Sequence, residues 1–178
     1  ISFNRPERLN AWSKDIGAGL LQRLREAEAD ESVRGVVLTG SGRAFSAGAD
    51  LKDPRTHSVV SPEEHLQSLR GHPISDTVET YPKPIIAAVN GHAIGIGCLV
   101  PLCCDFILAG ERASFCLPQV SLGILPAYGG PLRLARYVGP RNALNHPPTR
   151  PQGGAGGGPR LGRGGAGLPP GRASPQAM

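Results

Sequence analysis

The sequence predicts an α/β fold, and three observations carry that prediction. Short, almost wholly apolar runs at 35–40, 83–91 and 105–110 read as strands enclosed on both faces, because a strand covered on one side alternates apolar with polar residues. The stretches between them include apolar residues at helical spacing, so strands and helices alternate along the chain. Glycines punctuate the exits of two strands, at Gly48 and again at Gly91, Gly95 and Gly97, which marks tight turns into helices.

Ile1 to Asn4 reads as the end of a strand, as though the chain starts partway through it. Across 13–30, Ile16, Leu20, Leu21, Leu24 and Ala27 share a helical face, and Ser13 is placed to cap the first turn. Gly35 to Gly40 is the first enclosed strand. Residues 53–80, with His57, His65, His72 and scattered charge, read as a mobile loop and a poorly defined helix. Lys83 to Gly91 is the next strand. Ile94 to Cys104 reads as a glycine-rich opening into a buried crossover helix, in which Pro101 is tolerated only within the first turn. Asp105 to Gly110 is the third strand.

Of 19 basic residues, five lie beyond 140, at Arg141, Arg150, Arg160, Arg163 and Arg172, where no acidic residue occurs; with 14 acidic residues in all, 1–140 is neutral. A neutral body lacks the basic face that nucleic acid binding needs, and no nucleic acid partner is expected. No run reaches the roughly 18 apolar residues of a membrane span, and no basic-then-apolar leader opens the chain, so a cytoplasmic protein with no membrane partner is expected. Cys98, Cys103, Cys104 and Cys116 lack paired C-x-x-C spacing; they read as reduced, buried thiols, and no metal site is expected. Residues 141–178 hold 7 Pro and 10 Gly and only three Leu, too little to offset the entropy of ordering them. Two units follow: a body at 1–140 and a tail at 141–178 that is disordered, or that is a reading frame translated out of register.

Chemistry concentrates in two turns, Phe45-Ser46-Ala47-Gly48-Ala49-Asp50-Leu51-Lys52 and Asn90-Gly91-His92-Ala93-Ile94-Gly95-Ile96-Gly97-Cys98. Small residues let a ligand approach the main chain, and a helix that opens after Gly-x-Gly aims unpaired N–H groups outward. Side by side, two such turns hold one oxyanion.

Together with Asn4-Arg5-Pro6, Leu9-Asn10-Ala11, Gly42 to Lys52, Lys83 to Gly91, and Pro118 to Gly130 followed by Arg133-Leu134, these residues resemble the enoyl-CoA hydratase/isomerase (crotonase) superfamily across most of 1–140. Members usually begin earlier and continue much further. The resemblance implies a crotonase-like (ClpP/crotonase) spiral of ββα repeats, a homotrimer or dimer of trimers, and an acyl-coenzyme A thioester as substrate with no permanently bound cofactor. It implies a thioester carbonyl held by the backbone N–H groups of Ala49 and Ile96, with Gly95 and Gly97 around the second donor. Asp50, Leu51 and Lys52 would lie against the coenzyme, with Asp50 supporting its own turn, and Leu9, Asn10 and Ala11 near its adenine end.

The resemblance also places the two glutamates of the hydratases at Leu99 and Gln119. Leu99 has no polar side-chain atom, and Gln119 orients a water or a carbonyl without taking its proton. Tyr128 is the first substitute candidate for proton transfer, against simple packing of its ring; His57 and His92 are further candidates, against a solvated loop and a structural role. The expectation is an acyl-CoA enzyme of this family that stabilises a thioester enolate while both usual carboxylates are replaced. The alternatives are a non-catalytic acyl-CoA-binding homologue and an inactive truncated fragment.

Overall fold

The computed structural model describes residues 1–53, 63, 72–119 and 129–145. The elements are β1 (Ser2–Phe3), a 3-10 turn (Pro6–Arg8), α1 (Lys14–Ala29), β2 (Val36–Gly40), β3 (Ala44–Ser46), α2 (Pro73–Glu79), β4 (Ile85–Val89), β5 (His92–Ile94), α3 (Ile96–Cys103), β6 (Phe106–Ala109), β7 (Ser114–Cys116), α4 (Gly130–Val138) and α5 (Pro140–Asn145). Among the described residues every strand pairing is parallel. One sheet has the order β1-β2-β4-β6 and the other β3-β5-β7. The chain therefore repeats one unit: a strand in the larger sheet, a strand in the smaller, then a helix. β2-β3-α2 and β4-β5-α3 are two turns of this spiral, and β6-β7 followed by α4 is the third.

Local chemistry fixes α1 at both ends. Ser13 Oγ accepts from the Ile16 N–H at 3.3 Å, filling the cap that the sequence assigned to it. At the other end, Tyr81 donates its hydroxyl to the Leu24 carbonyl (2.7 Å) and Lys83 Nζ reaches the carbonyls of Ala27 and Asp30 (2.7 Å each). The carbonyls of Ala27 and Asp30, which no later helical N–H reaches, are thus used with that of Leu24 to tie α1 to the start of β4. Leu20 and Leu24 pack with Val36, Leu38, Ile85 and Val89, and Phe3 meets Trp12 and Phe45 edge to face at 5.5 and 5.3 Å.

Two expectations are corrected. The strands were read as enclosed on both faces, but Val37 (50% exposed), Phe106 and Leu108 (54%) stand on an open face of the larger sheet, because α1, α2 and α3 pack against the opposite one. An apolar run shows that a strand lies in a sheet and not how many of its faces are covered. β3, β5 and β7 are three residues each, too short to register as periodic runs. Pro101 lies inside α3 rather than in its first turn, with every residue from Gly97 to Cys103 buried. Packing on all sides of this eight-residue helix outweighs the roughly 3 kcal/mol that an interior proline costs an isolated one. α5 runs to Asn145, and Ala143 packs against the cluster of Cys98, Leu99, Leu102 and Leu134.

Asn10, fully buried and left-handed (φ 54°) after a left-handed Leu9 (φ 52°), joins the first segment to the sheet corner. Its Oδ1 accepts from the Arg5 N–H (2.8 Å), and its Nδ2 donates to the carbonyls of Ser41 (2.9 Å) and Ala44 (2.8 Å). Replacing Asn10 by Ala leaves one buried and two part-buried main-chain groups without this partner and should cost roughly 2–4 kcal/mol in denaturant unfolding; a loss below about 0.5 kcal/mol would show that the corner does not depend on this amide.

Candidate active site

The first turn leaves β3 and is held from three sides. Ser46 Oγ donates to the Asn10 carbonyl (2.8 Å) and accepts from the Gly48 N–H (3.3 Å). Trp12 pairs with the next peptides: its N–H donates to the Gly48 carbonyl and its carbonyl accepts from the Asp50 N–H at 2.9 Å. In this parallel bridge Trp12 faces Ala49, so the Ala49 N–H points away from Trp12. The buried Asp50 carboxylate accepts from the Lys52 N–H (3.1 Å) and from Arg5 Nη2 (3.3 Å), with Arg8 Nη2 at 3.9 Å. These bonds hold Asp50 to its own turn and to the segment that carries Arg5. Leu51 and Lys52 are exposed beyond it.

The second turn leaves β5 and becomes α3. Gly95, at φ 56° and ψ −122°, precedes the helix, and Cys98 and Leu99 donate to its carbonyl at 2.9 and 3.0 Å. The Ile96 N–H belongs to the first turn of the helix, where no carbonyl precedes it at bonding distance. Among the described residues, neither the Ala49 N–H nor the Ile96 N–H has a hydrogen-bond partner.

The two turns touch. Gly48 is left-handed (φ 87°), and a Cβ placed on it would stand 2.7 Å from the Ile94 carbonyl oxygen and 3.7 Å from Gly95 Cα. On Gly97 a Cβ would fall 2.4 Å from the Ser46 carbonyl oxygen and 2.7 Å from its Cβ. Only glycines allow the end of β3 and the start of α3 to approach this closely. Gln119 completes the junction: its Nε2 is 3.7 Å from the point where a Cβ on Gly95 would stand, and Gly48 Cα is 3.9 Å from that point. Gln119 Oε1 is enclosed and has no partner among the described residues.

Leu99 is buried in α3, one side of an apolar cleft that also takes in Ile74 and Val78 of α2 and Ile96. A half-buried imidazole, His72, borders the same cleft. Its Nδ1 accepts from the Ile74 N–H (3.3 Å) and caps α2, which leaves the ring proton on Nε2. Burial lowers its pKa below the ordinary histidine value, against the opposing pull of Asp76. The sequence reading missed this residue inside the polar stretch 53–80; the signal was Pro73, which favours the first position of a helix and makes His72 its cap. α2 is tied to α4 by a two-pronged pair between Glu79 and Arg133, at 2.5 and 2.8 Å.

Other predicted residues fall as follows. Leu9, Asn10 and Ala11 lie on the far side of the first turn, with all three carbonyls accepting, from Ala47 N–H, Ser46 Oγ and Arg5 Nη1, and all three N–H groups donating. His92 bonds Ser114 Oγ through Nδ1 at 2.8 Å across β5 and β7, a structural role. Tyr128 and His57 lie outside the described residues. The four cysteines are free; burial pushes the Cys98 thiol up to about 12 and that of Cys103 up to about 11. Among the described residues no cluster of His, Cys, Asp and Glu is placed to hold a metal, and no helix is long and apolar enough to cross a membrane.

Parallel ββα repeats with two glycine turns in contact define the class of α/β protein to which the chain belongs. The chain matches the enoyl-CoA hydratase/isomerase family over residues 1–146 and belongs to it. It is 40% identical over 145 residues to a probable enoyl-CoA hydratase of Rhizobium meliloti, covering 82% of this chain and 55% of that one. To the 2,3-dehydroadipyl-CoA hydratase of Escherichia coli it is 40% identical over 139 residues, covering 78% and 53%. Among solved structures, the enoyl-CoA hydratase of Bacillus anthracis superposes with a TM-score of 0.70 at 37% identity, over 82% of this chain and 56% of that one, so the fold is that of the crotonases. The chain spans about half the length of the curated relatives it matches.

The His72 shift has a sign that can be measured. A histidine whose pKa is lower folded than unfolded makes the unfolded state take up more protons, so it subtracts from stability as pH falls through about 6.5. Comparing urea unfolding at pH 7.5 and 5.5, the wild-type chain should lose more stability than His72→Asn, which keeps a capping side chain. Identical losses would mean that the imidazole is not held neutral by burial.

Proposed function

We propose that the body of this chain binds an acyl-coenzyme A thioester and stabilises charge on its carbonyl oxygen through the N–H groups of Ala49 and Ile96. The observation that supports the reading is the close approach of Gly48 and Gly95, each followed in sequence by a backbone N–H without a partner among the described residues. Preorganised donors of this kind stabilise an enolate oxygen as its charge develops and need no reorganisation when it does. The acyl group would run into the apolar cleft beside Ile96 and Leu99. Leu51 and Lys52, exposed past the first donor, would lie along the coenzyme. With its hydrogen-bonding main chain already engaged, the segment Leu9 to Ala11 would offer the adenine only packing contacts.

Hydration calls for a group that takes a proton from water and one that supplies a proton to the α carbon. Leu99 and Gln119 stand where the family resemblance puts those two groups, and neither exchanges a proton at neutral pH. We therefore assign to the site thioester binding and enolate stabilisation, with hydration reduced by about 10²–10⁴-fold for each missing carboxylate. Binding without turnover is the second reading, favoured by the same two residues. A body at 1–140 followed by a tail, assembly as a trimer or a dimer of trimers, and a cytoplasmic location accompany the proposal; the protonated, unbridged thiols support a reducing compartment.

Titration calorimetry with acetyl-coenzyme A should give a micromolar Kd on a chain that circular dichroism finds folded. The wild-type chain should leave crotonyl-coenzyme A unhydrated, and the double change Leu99→Glu with Gln119→Glu should create hydratase activity. A folded chain that ignores acetyl-coenzyme A would refute the assignment.

A further inference from the structure

We infer that the Ser46 hydroxyl is the positioning group of the donor pair, setting the Ala49 N–H against the Ile96 N–H so that both meet one thioester carbonyl. The inference rests on the reading of the two turns as a thioester site.

Ser46 is the last residue of β3 and is fully buried, so its hydroxyl meets no ligand and acts through its neighbours. Those neighbours flank both donors. Toward the first, Oγ accepts from the Gly48 N–H at 3.3 Å, one residue before Ala49. Toward the second, a Cβ built on Gly97, one residue after Ile96, would stand 2.7 Å from Ser46 Cβ and 2.9 Å from its Oγ. The hydroxyl is itself anchored, because it donates to the Asn10 carbonyl at 2.8 Å, and Asn10 is pinned in turn to Ser41 and Ala44.

What the hydroxyl controls is an angle. Gly48 is left-handed (φ 87°) and, as a glycine, has wide alternatives open to it. With its N–H held by Ser46 and its carbonyl held by the Trp12 N–H at 2.6 Å, both peptide groups that adjoin it are fixed. The Gly48–Ala49 peptide is planar and trans, so its N–H points opposite to the held carbonyl. Without the Ser46 oxygen one of the two restraints is gone, and the glycine is left to turn about φ. The fold does not depend on that oxygen alone, since Ala47, Gly48 and Asp50 keep their main-chain bonds to Leu9 and Trp12. A misaimed donor costs stabilisation of charge on the carbonyl, and not affinity for the rest of the ligand.

The test uses the full 178-residue chain and two ligands that differ in one oxygen, butyryl-coenzyme A and its thioether counterpart S-butyl-coenzyme A, with coenzyme A as the reference. Calorimetry should find the wild-type chain binding the thioester about tenfold more tightly than the thioether, the worth of two hydrogen bonds to the carbonyl. Ser46→Ala keeps Cβ and loses the oxygen; the ratio should fall to about twofold while coenzyme A and the thioether bind as before. Ser46→Cys, whose sulfur accepts weakly, should fall between the two, and it carries the test if the alanine variant does not fold. Tyr81→Phe removes another buried hydroxyl, the one bonded to the Leu24 carbonyl at 2.7 Å, and should leave the ratio as it is in the wild-type chain. A ratio that stays unchanged in the folded Ser46 variants, or that falls equally in Tyr81→Phe, overturns the inference and leaves the thioester reading standing. If the folded wild-type chain binds thioester and thioether alike, the thioester reading itself falls and the inference with it.

Discussion

The contact between Gly48 and Gly95 is the constraint on which the site depends. It is set by parallel pairing in the smaller sheet, where the register between β3 and β5 shifts between Ala44 and Ser46. Such an irregularity redirects the chain that leaves a strand. Here it carries the first turn against the start of α3, with Gly97 packed on Ser46. Neither turn makes a pocket alone. The turns touch because Gly48 and Gly97 lack side chains that would hold them apart.

Behind that contact stands a scaffold of polar groups spent on geometry. Ser46, Asn10 and Asp50 are all buried, and each is bonded to main chain: Ser46 to Asn10 and Gly48, Asn10 to Arg5, Ser41 and Ala44, Asp50 to Lys52. Trp12 closes the back of the first turn with two hydrogen bonds while its ring joins the core through Phe3. A satisfied buried network of this kind is rigid, and rigidity lets a backbone N–H wait for charge rather than move to meet it.

The fold was legible where apolar runs were long enough to count. β2, β4 and β6 stood out as unbroken runs, and α1 by its periodicity and its capping Ser13. The partners of those strands in the smaller sheet were hidden, because three residues contain no period, and the spiral was reached only through resemblance. Coverage of the larger sheet was misjudged, since Val37 and Leu108 are as apolar as Leu38 and Val89 yet face the other way. In the site, Gly48, Gly95 and Gly97 were readable because close approach demands a particular residue type. His72 and the unpartnered oxygen of Gln119 were not, since each acquires its meaning from neighbours that lie far away in sequence, Ile96 in one case and the Gly48–Gly95 junction in the other.

A site made of main-chain donors and an apolar cleft separates two tasks that relatives with acidic side chains would combine. In the proposed reading, charge on a thioester oxygen would be met by the Ala49 and Ile96 N–H groups whatever stands at 99 and 119, while the fate of the proton would depend on side chains. The central claim is therefore about the carbonyl, and infrared difference spectroscopy of bound butyryl-coenzyme A, labelled with ¹³C at the thioester carbonyl, tests it directly. Two convergent N–H donors should polarise the bond and move its stretch to lower frequency than in water. A bound thioester whose carbonyl stretch lies at or above its frequency in water would contradict the account.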